Sequence, residues 1–194
     1  ETAHFRVHYP RPLEPMARKA AAALADARVA LAPLFAHQPD VVHVTIDDYV
    51  DSANGWAAVL PFDQLHLNAY PPGADSELAD HGDWLRMVAF HEYAHLLQLG
   101  EVGGVPAASH WLLGRRWLPN QVLPRALLEG IATYVETRQT GGDRAVSGRG
   151  GRVDSPQFLA LLRAAARDHT LPDLAQWTGE PMAWPRGQGW YLYG

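Results

Sequence analysis

Cysteine is absent from all 194 residues. Disulfides and thiolate metal sites are thereby excluded, so any metal must be held by His, Asp or Glu. Lysine is almost absent: Lys19 stands alone among basic residues that are otherwise Arg, which reads as genomic base composition. No run approaches the roughly 18 apolar residues of a membrane span, and no signal peptide opens the chain. Blocks of like charge are missing too. The net charge of −5 is spread along the sequence, which favours solubility and argues against a nucleic-acid surface. What is plentiful is apolar: hydrophobic residues make up 47% and charged ones 19%, the balance of a chain that buries a core.

The pattern along the chain is strands first, helices after. His4–Tyr9 alternates and reads as a strand stopped by Pro10 and Pro12. Glu14 to about Phe35 is Ala-rich with helical spacing. Val41–Ile46 is a short β-branched strand. Gly55–Leu60 and Gln64–Tyr70, separated by Pro61-Phe62-Asp63, predict a hairpin. From there the period is helical. Asp83 caps a helix from Trp84 to about Leu99, with Gly100 as its stop. A connection punctuated by Trp and Gly runs over 103–123. Pro124 starts a helix over Arg125 to about Arg138. Residues 140–151 read as a flexible loop, and Ser155-Pro156 opens a last helix to about Asp168. The expectation is one α+β domain over 1–194, strand-rich over 1–73 and helical over 74–194, with a small twisted mixed sheet packed on the helices. Since it opens in a strand pattern and stops in mid-pattern at Tyr191-Leu192-Tyr193-Gly194, a piece of a longer chain is expected.

The chemistry concentrates in Ala89–Leu97, AFHEYAHLL. Two histidines and a glutamate interrupt an apolar helix, and such residues are rarely buried unless paired or bound. HEYAH fits H-E-x-x-H. Four residues apart on a helix, His91 and His95 share a face and can offer two imidazoles to one ion. Glu92, one position round, can reach a water on that ion as general base. The bland alternative is two core histidines meeting a buried glutamate. Catalytic zinc also needs a third protein ligand and an open position. The metzincin continuation is closed, because Gln98 and Glu101 stand where Gly and His would.

Downstream, Leu127–Glu136 (LLEGIATYVE) places an acid in an apolar helix. Here the chain resembles the gluzincins, zinc peptidases whose third ligand is a Glu on a second helix. E-G-x-A-x-Y-x-E is similar to that segment in the aminopeptidase-N family and in bacterial peptidase-MA-like domains. The resemblance implies Glu129 as third Zn²⁺ ligand, beside His91 and His95, in a thermolysin-like catalytic domain. Glu136, on the same helix face, then steadies a ligand imidazole. The interval from His95 to Glu129 is longer than in aminopeptidases and holds His110-Trp111 and Arg115-Arg116-Trp117, an excursion suited to a lid or a docking surface. His110 is a competing ligand candidate. Tyr191-Leu192-Tyr193-Gly194 resembles the family's Y-x-x-G, which implies Tyr191 as oxyanion donor, with Tyr193 as the lesser candidate. Asn54–Ala58 stands where exopeptidases carry G-x-M-E-N but has no Glu, so the lean is towards an endopeptidase whose edge strand pairs with an extended substrate.

HFRVHY, DDYVDSANGW, the HEYAH helix, LPRALLEGIATYVE, SPQFLALLR and GQGWYLYG together resemble the peptidase-MA-like domain that precedes a TolB-like β-propeller in bacterial extracytoplasmic proteins. This implies zinc-dependent hydrolysis of a peptide or protein substrate, a periplasmic or secreted location, and a C-terminal propeller as partner. The rival is a zinc-stabilised, non-catalytic docking module, against which an intact Glu92 argues. TGGDRAVSGRGG lacks the G-x-x-x-x-G-K of a phosphate loop and reads as a flexible loop.

Overall fold

The computed structural model describes residues 2–73, 83–140, 152–154 and 156–171. The chain divides into two compact units, Glu1–Val122 and Leu123–Gly194. Both sheet and helices are present, so the class is mixed α/β.

In the first unit β1 (Phe5–His8), β2 (Val42–Asp47), β3 (Gly55–Ala58) and β4 (Gln64–Asn68) form one sheet in the order β1-β2-β4-β3. β1 and β2 are parallel, as are β2 and β4, whereas β3 pairs antiparallel with β4. The expected hairpin and mixed sheet are therefore present. A parallel β1–β2 pair needs a long crossover, and α1 (Glu14–Leu31) supplies it. The period of two sorts the faces: Phe5, Val42, Val44, Ile46, Leu65 and Leu67 are buried, while Arg6, His8 and Thr45 face solvent. The third strand lies at an edge.

α1 buries a stripe of Ala17, Ala20, Ala23, Leu24, Ala27 and Leu31. Its small side chains let it lie close against α2 (Trp84–Gly100). It ends at Leu31, four residues earlier than expected: Ala32 keeps helical dihedrals, but Pro33 has no N–H to continue the hydrogen-bond ladder. α2 buries residues around most of its circumference and packs on α1, β3 and β4, the mark of a central helix. The Asp83 side chain accepts from Arg86 N at 3.1 Å, the expected cap. At the other end Asn120 Nδ2 donates to the carbonyls of Gln98 and Glu101 at 2.8 and 2.5 Å, satisfying orphan acceptors.

The 103–123 connection is not irregular throughout. It contains α3 (Gly104–Leu113), a helix none of whose residues is buried, with Trp111 88% exposed. Pro106 lies in its first turn, where no intrahelical N–H is required. In the second unit, α4 spans Arg125–Thr140 and α5 spans Pro156–Arg167, each within two residues of expectation. The 140–151 loop lies almost wholly outside the described residues. Among those described, no helix is long and apolar enough to cross a membrane.

Candidate metal centre

α2 places His91, Glu92 and His95 on adjoining positions of one buried surface. His91 is 2% exposed and Glu92 5%, while His95 is half-buried. The two imidazoles meet edge to face, centroids 4.7 Å apart, with Nε2 to Nε2 at 3.1 Å. Two nitrogens each about 2.05 Å from a tetrahedral metal sit about 3.3 Å apart, so this pair is already close to chelating distance. One ligand atom each from His91, His95 and Glu129 lie within 4.8 Å of one another, a group that could hold a metal ion. Two imidazoles and a carboxylate are a donor set that suits zinc.

The third member comes from α4, where Ala126, Ala132, Thr133, Val135 and Glu136 are buried and Glu129 is half-buried. Glu136 is fully buried and ion-paired. Arg152 Nε donates to its Oε1 at 3.2 Å and Nη2 to its Oε2 at 2.6 Å. Arg152 is thus a guanidinium partner for Glu136 that the sequence did not suggest. His110 is not in the metal group; its Nε2 lies 2.9 Å from the carbonyl of Trp117. Tyr191 and Tyr193 lie outside the described residues.

On the far side of α2, Tyr93 is wholly buried, its ring meeting Phe5 edge to face with centroids 5.9 Å apart. Its hydroxyl donates to Gln38 Oε1 at 3.1 Å and accepts from Arg28 Nη1 at 3.2 Å. Burial raises the phenol pKa, partly countered by Arg28. This contact ties the site-bearing helix to α1, and sequence reasoning missed it because Arg28 and Tyr93 belong to different helices. A second tie is Arg115 with Asp63: Nη1 and Nη2 donate at 2.7 and 3.0 Å, and the hydrogen bond raises the guanidinium pKa. It joins the β3–β4 turn to the segment after α3.

No family model matches the chain, and no curated protein or solved structure matches it either.

Proposed function

We propose that the protein is a zinc metallopeptidase of gluzincin type, leaning towards endopeptidase action. One observation carries the reading: His91, His95 and Glu129 bring their donor atoms within 4.8 Å of one another, while an acid that the metal does not need, Glu92, is buried beside them. His91, His95 and Glu129 would hold the ion, which supplies Lewis acidity towards a carbonyl and acidifies a water to a pKa of about 7. Glu92 takes the proton of the attacking water as general base and returns it to the leaving amine. Tyr191 remains the proposed oxyanion donor on resemblance alone. Among the described residues β3 is an edge strand, and its outer side can take an extended peptide by strand addition.

Exposure of α3 favours the second reading, a docking module in which zinc is structural. The two readings part at Glu92→Gln. As a peptidase, the variant keeps its zinc and thermal stability and loses at least about 10²-fold in hydrolysis of a mixed peptide library. An intact chain that binds zinc and cleaves nothing is the docking module.

A further inference from the structure

Glycine at the head of an edge strand weakens it relative to Ala, and position 55 in β3 is glycine. Backbone conformation does not demand it, because Gly55 is not among the glycines with positive φ. Space does. A Cβ at Gly55 would lie 2.9 Å from Cγ of Glu92, 2.9 Å from the main-chain oxygen of His66 and 3.0 Å from Cγ1 of Val88. The His66 oxygen cannot retreat, since it belongs to β4, which is held between β2 and β3 in the sheet, and His66 pairs with Trp56. Val88 and Glu92 are four apart on α2 and share a face. Both are buried.

We infer that Gly55 is a positioning residue for Glu92. The bare main chain of β3 forms one wall of a slot and Val88 borders it from the helix, so the aliphatic stem of Glu92 is confined before substrate arrives. A free Glu side chain gives up rotamer freedom when it is fixed. Here that ordering is built into the fold. The inference rests on the proposed role of Glu92 as base, but the confinement itself is a property of three residues in one unit.

The test introduces Gly55→Ala alone and into Glu92→Gln, with zinc content, thermal midpoint, peptide kinetics and a crystal structure of the single variant. Zinc per chain is expected to stay at one. The kcat should fall about 10- to 10²-fold, since a misplacement near 1 Å costs that much, with KM changing less than about threefold. In the Glu92→Gln background the added methyl should have no further effect on the residual rate. An equal fall in both backgrounds, or a change confined to KM, overturns the assignment and makes Gly55 a substrate-strand residue. If the unmodified protein cleaves no peptide, the peptidase reading fails by itself, and the crystal structure still judges the slot. A displaced Glu92 carboxylate supports it; an unmoved Glu92 under a lifted β3 overturns it. Should Gly55→Ala not fold, Val88→Ala loosens the slot from the helix side. It should retain zinc and lower kcat several-fold, and an unchanged kcat there overturns the inference.

Discussion

Glu136 and Arg152 form a two-pronged ion pair with side chains only 1% and 8% exposed. The nearest sequence cue was that an acid on an apolar helix face needs a partner. The partner comes from the short 3-10 turn Arg152–Asp154 after the Gly-rich segment. Removing one member of a buried pair strands the other charge, which costs about 3–5 kcal/mol. Arg152→Ala should therefore lower the urea midpoint strongly, and Glu136→Leu with Arg152→Leu should recover much of the loss. If Arg152→Ala is neutral, the pair contributes nothing to holding α4.

Zinc binding is expected to divide the candidate ligands. His95→Ala removes one of two imidazoles poised at 3.1 Å and should abolish stoichiometric zinc. Glu129→Gln should weaken affinity at least about tenfold, because a neutral amide replaces a charged oxygen ligand. His110→Ala should change nothing, since its Nε2 is engaged with the Trp117 carbonyl. Zinc lost with His110 and kept without Glu129 would move the site into the excursion.

Arg115→Lys tests whether the tie to Asp63 depends on shape or charge. Asp63 has a side chain 8% exposed and receives two parallel donors. A lysine keeps the charge but cannot supply the fork, so the variant should lose about 1.5–3 kcal/mol, near the loss in Arg115→Ala. Full stability in the lysine variant would show that charge alone suffices.

The central helix was legible because every signal agreed: an Asp cap, a 3.6 period and a terminal Gly. The pairing of His91 with His95 followed from their spacing alone. Glu129 did not; the residues offered a lone acid in an apolar helix and a rival, His110, that lacks a helical partner, and it was the likeness to gluzincins that implied Glu129 as the ligand. α3 was hidden by Gly103, Gly104, Pro106 and Gly114, which read as loop punctuation although the proline sits harmlessly in a first turn. Ties such as Arg28 to Tyr93 and Arg152 to Glu136 join residues whose meeting only the tertiary fold decides. The same is true of Gly55, whose need for a missing side chain appears only once Glu92 is packed beneath it.

His37 supplies a prediction about pH. Its ring is packed so closely on the end of α2 that a Cβ at Gly100 would lie 2.2 Å from Cδ2. Among the described residues, Nε2 is buried without a hydrogen-bond partner. Burial pushes the imidazole pKa below the ordinary 6.5; Asp63 is the main opposing effect, Arg115 pushes the same way as burial, and Glu101 and Asp40 oppose more weakly. Because the folded value is the lower one, the unfolded chain binds more protons as pH falls below 6.5. The stability attached to the neutral ring is therefore fully present above that pH and declines beneath it, until the folded-state value is passed. Urea unfolding between about pH 7.5 and pH 5 should show this loss in the unmodified chain and a flatter dependence in His37→Leu, once each is referred to its own value at the upper end. The comparison isolates one ring among ten histidines. Identical slopes, or a steeper one in the variant, would mean that His37 is hydrated where its ring appears enclosed, and that its protonation is not coupled to folding.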